Sequence, residues 1–343
     1  MNQLTNNCLQ LKLTFKFLIF FLGLFIISST LTAQKSIEDI AKMKENKWQK
    51  LVEGKYGYIN LIPGFKTMIQ ENLLKEENVP NPKNIGILTF QLWDEPTWKS
   101  TRAGDWVYYE KNLLTEEGSN LVSNELYKLM LPAIKKKFSS AGITLKTTDE
   151  YLDSEEKMQI YREGASQVKV SGLVKFLTDG LHNRLQGENE GQGTVSADGY
   201  AFYPVTASVM ASDFKAPGIV GKITENLGLD ASLIISVNVS IEKGGKLLVF
   251  RGMGMAIVGP VKDEEDVEFR GKIGKKMVQY QRDGQALSSS YFTVDPIPLA
   301  DMVKKTGEIE EWHTAGIDLV ATRMVENMVF DLNKLANMDK SKK

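Results

Sequence analysis

Asn84-Ile85-Gly86-Ile87-Leu88-Thr89-Phe90 is a short, nearly continuous apolar run. Such a run suits a strand buried on both faces, as in a sheet covered by helices on each side. A helix is expected after it from Thr115 to Ser139, where Val122, Leu126, Leu129, Met130, Ala133, Ile134 and Phe138 keep helical spacing. Pro132 is expected to kink that helix, and Gly142 to end it. Ile143–Thr147 then reads as the next strand. This strand–helix–strand order points to an α/β fold, with α+β as its neighbour, built on a mixed sheet with packed helices.

Outward from this core, a polar helix is expected around 150–163 and a third strand from Gln167 to Phe176. Residues 177–216 break the pattern. Gly187-Glu188-Asn189-Glu190-Gly191-Gln192-Gly193 is polar and glycine-rich, so the segment reads as a flexible insertion. A helix near 218–227 leads into a long strand, Asp230 to Ile241. Glu242-Lys243-Gly244-Gly245-Lys246 turns the chain, and Leu247–Val258 returns as the partner strand. Residues 260–312 are mixed, with a strand at Ser289–Val294. A last helix, Thr314–Asn337, carries the stripe Ile317, Val320, Met324, Met328, Leu332 and Leu335. The second half is therefore rich in hairpins.

Toward the amino terminus, Val79-Pro80-Asn81-Pro82 reads as a linker, because each proline drives its predecessor out of helical geometry. Residues 34–80 before it form a helical extension, with Ser36 as a cap ahead of Ile37, Ile40, Ala41, Met43 and Trp48, and a second helix reaching about Asn78. The α/β domain is placed at 81–343. Residues 1–33 hold Lys12 and Lys16, then the apolar block Phe17–Ile27, then the small residues up to Ala33. This is the order of a cleavable secretory signal, and the block is shorter than the roughly 20 residues of a spanning helix. An uncleaved anchor is the alternative, because Leu31 stands three places before the Ala33–Gln34 cut. Export to the periplasm or outer-membrane periphery, or beyond the cell, follows, with no integral span left after cleavage.

Cleavage would remove Cys8, the single cysteine, and with it any disulfide, thiolate metal site or cysteine nucleophile. It would also take the net charge from −1 to −3 through the loss of Lys12 and Lys16. A mildly acidic chain lacks the clustered positive field that nucleic acid requires. Lys135-Lys136-Lys137 falls at a helix end, where cations complement the macrodipole. A hydrophobic content of 42% with 25% charged residues is that of an ordinary globular protein.

Motifs for chemistry are sparse, and no cofactor or metal is expected. His182 and His313 are the only histidines and neither has a second at helical spacing. Asp179 with His182, and Glu311 with His313, could each orient an imidazole for base catalysis, but both pairs are expected in loops with no nucleophile beside them. Ser166-Gln167-Val168-Lys169 and Lys305-Thr306-Gly307 match two penicillin-binding motifs, yet the serine is expected before a strand, not at the start of a buried helix. Gly252 and Gly254 lie in a hairpin strand with no helix after them, so they form no phosphate loop. No catalytic residue is assigned, which leans the chain away from enzymes.

The richest stretch follows the first strand. Trp93, Asp94, Glu95, Trp98, Arg102, Asp105, Trp106, Tyr108 and Tyr109 hold three of the five tryptophans, at a strand end where α/β folds often place their sites. Aromatic rings beside carboxylates stack on sugars or anchor a partner. The competing reading is a lid whose rings fold onto the core.

Ile85–Phe90, Glu117–Phe138, Ile143–Thr147 and the turn Leu227-Gly228-Leu229-Asp230-Ala231 before a long strand are similar, over about half the chain, to an envelope-protein group. The group includes the curli-secretion (CsgG-type) lipoproteins, the TolB amino-terminal domain and the peptidoglycan-synthase activator lipoproteins. The resemblance implies an exported, non-enzymatic protein that binds or helps assemble an envelope protein or polymer. The lipid-bearing cysteine of that group has no counterpart after the apolar block. An exported hydrolase of envelope polymers is the alternative. An oligomeric secretion component, a homo-oligomer with amphipathic hairpins from 181–216, is the third.

Overall fold

The computed structural model describes residues 36–53, 82–103, 106–168, 194–212, 216–260, 268–273, 276–281, 284–303 and 308–338. The signal segment, most of the strand expected at 167–176, the glycine-rich run at 187–193 and the helix expected up to Asn78 lie outside them. From Ile37 onward the chain forms one compact unit.

β1 (Asn84–Asp94) is the spine of a mixed sheet and is buried along its whole length except at Asn84. It pairs in parallel with β4 (Thr144–Lys146) on one side and with β6 (Ala231–Glu242) on the other. β5 (Val195–Ser196) runs antiparallel to the far half of β1, along the edge that β4 pairs nearer its start. Beyond β6 the sheet turns antiparallel through β7 (Leu247–Pro260), β10 (Gly284–Met302) and β11 (Ile309–Trp312). The fold is thus α/β with a mixed sheet.

Helices cover both faces. On one face α3 (Glu116–Ser140) packs its apolar stripe, Val122–Phe138, against β1, and α8 (Ile317–Met338) packs Val320–Leu332 against α3 and β10. On the other, α5 (Glu155–Gln167), α6 (Ala207–Ser212) and α7 (Ala216–Asn226) enclose a smaller core around Leu88, Ile234, Ala256 and Tyr203. The apolar run of β1 feeds both cores through a bulge at Leu88, where the pairing with β6 skips one residue. The bulge moves the larger-core positions from Ile85 and Ile87 to Phe90 and Leu92. It also leaves carbonyls to be satisfied. The Tyr151 hydroxyl donates to Ile87 O at 3.0 Å and the Tyr161 hydroxyl to Leu88 O at 2.7 Å.

Local signals set the ends of α3. The Thr115 hydroxyl accepts from Gly118 N at 3.2 Å. At the other end Gly142 takes φ +72°, with its N–H on Ser139 O and that of Ile143 on Phe138 O. That is a Schellman closure, which a side chain at 142 would strain. The turn at Asp230 has an equally direct role: its carboxylate accepts from both Lys83 N and Asn84 N at 2.9 Å, fixing the start of β1.

Several expectations are corrected. The aromatic stretch after β1 is not a loop but a hairpin, β2 (Thr97–Ala103) with β3 (Trp106–Asn112), in unbroken register from Thr97↔Asn112 to Ala103↔Trp106. A second hairpin, β8 (Glu268–Ile273) with β9 (Lys276–Gln281), falls between β7 and β10. The strand expected at Ser289–Val294 is the middle of the 19-residue β10. Three register shifts carry it along β7, one of them passing over Val294, Asp295 and Pro296. Prolines are tolerated at such irregularities and not in a regular central ladder. Gln167 ends α5 instead of opening a strand. Of the insertion, residues 194–212 form β5 and α6 and bury Ala197, Tyr203 and Val205, so this half is core and not a flexible loop.

The amino-terminal helices also belong to the core. α1 (Ile37–Ala41) and α2 (Glu45–Glu53) bury Ile37, Ile40, Trp48 and Val52 in the larger cluster. Arg323 of α8 clasps their junction. It donates to Ala41 O (3.2 Å), Met43 O (2.6 Å) and Glu45 Oε2 (2.8 Å), and its guanidinium lies 4.4 Å over the Trp48 ring.

The lysine run at the end of α3 forms bridges. Lys137 meets Glu326 of α8 at 2.6 Å, and Lys135 meets Glu150 of α4 (Thr148–Tyr151) at 2.7 Å. Glu150 Oε2 also accepts from Thr147 N and Oγ1. The Lys135 ammonium, followed by the Thr147 amide, holds the Glu150 carboxyl down to about 2. A depressed carboxyl stabilises the fold above its ordinary value of 4.5, and that contribution is lost as pH falls through 2. The pair is partly exposed, so Glu150→Gln is expected to cost only about 0.5 kcal/mol at pH 7. Urea unfolding at stepped pH should show this difference fading between pH 4.5 and 2.

Candidate functional site

β1 and β6 run in parallel, β6 reaching three residues past the end of β1, and the aromatic hairpin springs from this end of the sheet. Its foot is bound firmly. Glu95 N donates to Val239 O at 2.7 Å, Thr97 Oγ1 to Ile241 O at 2.6 Å, and Asp94 Oδ2 accepts from Leu114 N at 2.5 Å on the return. Asp94 is buried and is therefore a joint in the fold, not a ligand-facing group.

The expected site residues divide. Trp93 is 2% exposed; its Nε1 donates to Gln91 Oε1 at 2.8 Å and its ring packs on Phe202 at 5.4 Å. Its ring is thus packed inside the fold. Trp106 is the opposite case, 72% exposed beside the hairpin turn, with Arg102 exposed near it. Asp105, and the side chains of Trp98, Tyr108 and Tyr109, lie outside the described residues.

Glu95 stays at the surface and lines a cavity of about 110 Å³ with Thr206, Ser236, Asn238, Gly254 and Tyr291. Three distant segments meet in this carboxylate. Asn238 Nδ2 donates to Glu95 Oε1 at 3.0 Å, and Arg251 Nε stands 3.6 Å from Oε2. The approach of Arg251 has a backbone cause. The ladder pairs Asn238 with Gly252 and Val239 with Phe250, leaving Arg251 as the extra residue of a bulge. Bulges re-aim side chains in this way. The cavity lies at the start of α6, and its wall mixes hydroxyls and an amide with Met253 and Phe292. It has the size and chemistry to seat one small polar group of a larger ligand.

Asn238, Arg251, Thr206 and Tyr291 escaped the sequence reading. One sign was available: Ser236, Asn238 and Ser240 place polar side chains at every second position of a mostly apolar strand, on one of its faces.

The other candidates resolve simply. Ser166 lies inside α5 and its hydroxyl donates to Glu163 O at 2.7 Å, while Lys169, Asp179, His182 and Lys305 lie outside the described residues. Gly252 and Gly254 are strand residues of β7. Glu311 is on strand β11, not in a loop, and His313 Nε2 reaches Asp301 Oδ2 of β10 at 3.0 Å. Among the described residues no helix is long and apolar enough to cross a membrane. No family model matches the chain, and neither curated proteins nor solved structures offer a match.

Proposed function

We propose that this chain is an exported, non-enzymatic cell-envelope protein that binds or helps assemble a partner through the tip of the β2–β3 hairpin. The observation carrying this reading is Trp106, an indole 72% exposed at the end of a hairpin whose foot is bonded to the main sheet. A ring left in water adds little to the fold, whereas a large aromatic on a rigid support is the usual anchor of a partner surface. Export rests on the basic, apolar, small-residue order of residues 1–33. The class of partner, an envelope protein or polymer, rests on the resemblance of Ile85–Phe90, Glu117–Phe138 and Leu227–Ala231. The Glu95 cavity beside the hairpin foot supplies a second, concave contact.

Crosslinking in intact cells tests it, comparing wild type with Trp106→Ala at equal abundance and equal melting temperature. Wild type is expected to capture a specific partner, and the variant to bind it about 30-fold more weakly, as the loss of an aromatic hot spot does. Undiminished capture by the variant would exclude the hairpin tip from the interface.

A further inference from the structure

We propose that Asp301, Glu311 and His313 form a divalent transition-metal site of the zinc class at the β10–β11 edge of the sheet. It is independent of the hairpin reading. The antiparallel register sets Asp301 directly across from Glu311, with Ala300 across from Trp312. Trp312 packs against the larger core, so its neighbour Glu311 turns to the opposite face, and His313 follows directly after the strand. One donor atom from each of the three residues falls within 4.8 Å of the others.

Two arguments point to a cation here. Like charges directly opposite each other in a ladder destabilise it, and this ladder pairs two carboxylates. The Glu311 side chain has no hydrogen bond or ion pair among the described residues, and the imidazole beside Asp301 balances the charge only when protonated. A divalent ion turns the repelling pair into a ligand set. The second argument is distance. Zinc holds histidine nitrogen and carboxylate oxygen at about 2.0–2.2 Å, which in a tetrahedron sets neighbouring donors roughly 3.3–3.6 Å apart. His313 Nε2 and Asp301 Oδ2, hydrogen-bonded at 3.0 Å, need to open by only a few tenths of an ångström to admit the ion. Glu311 is exposed, so a side-chain rotation closes the remaining gap without moving the backbone. Imidazole with two carboxylates suits zinc, cobalt or manganese over calcium, which takes six or more oxygens. Three protein donors leave a position open toward solvent, where water or a partner's side chain completes the shell.

The test is titration of the chelator-treated full chain with Zn²⁺ by calorimetry and with Co²⁺ by visible absorption. Wild type, Asp301→Asn, His313→Gln and the control Glu310→Gln, one residue along β11, are compared. Wild type and the control are expected to bind one equivalent with a cobalt spectrum of low-symmetry, nitrogen-containing coordination. Both ligand variants should lose that equivalent, weakening it beyond the roughly 10–100-fold typical of an outer-shell change. Each variant keeps a polar side chain of similar shape, and circular dichroism confirms folding; if one does not fold, the other carries the comparison. Absence of binding in wild type, or an equivalent that survives in the folded ligand variants, overturns the site.

Discussion

Gly252→Ala is expected to destabilise the protein by roughly 3–5 kcal/mol, the combined cost of a strained backbone and a forced displacement. Gly252 holds φ +153°, a conformation that side-chain-bearing residues rarely adopt. An added Cβ would stand 2.2 Å from Phe292 O and 2.9 Å from Thr293 Cα, both backbone atoms of the neighbouring strand. No rotamer change relieves such a contact, so β7 and β10 must part where they are most closely paired. Thermal unfolding should show a fall of about 10 °C. The same substitution disturbs the bulge that directs Arg251 to Glu95, so the cavity loses its shape as stability falls. An unchanged melting temperature would mean that β10 does not approach β7 this closely.

Trp93→Ala and Trp106→Ala should differ sharply, although both tryptophans belong to one aromatic stretch. Trp93 is fully packed, stacks near Phe202 and donates to Gln91. Its removal leaves a large void and an acceptor short of a donor, at about 3–5 kcal/mol in urea unfolding. Trp106 is mostly in water, and its removal should change stability by no more than about 0.5 kcal/mol. Comparable losses from both would make the hairpin tip part of the core and leave the proposed binding surface without its anchor.

Glu95 shows why the site was only half legible. It stood in an evident cluster of aromatics and acids, so the sequence marked the neighbourhood. Its partners Asn238 and Arg251 lie far along the chain and meet it only through the parallel pairing of β1 with β6 and the bulge in β7. The metal-ligand set is similar: Glu311 and His313 are neighbours in sequence, but Asp301 joins them only because the β10–β11 register puts it opposite Glu311.

By itself the sequence determined the elements whose information is local. The apolar run of β1, the helical stripes of α3 and α8, the Thr115 and Gly142 ends of α3 and the tight turn between β6 and β7 are all decided within a few residues. Tertiary structure decided the rest. Val294–Pro298, with two prolines, reads against a strand, and only pairing with β7 through register shifts makes β10 continuous. Residues 194–212 follow a polar glycine-rich run and alternate only weakly, yet Tyr203 and Val205 join Leu88 in the second core. The two tryptophans carry the same local signal and meet opposite fates, since burial depends on which side of the strand end faces the core. Periodicity and capping act over one turn or one strand, whereas register and burial are set by what the rest of the chain brings alongside.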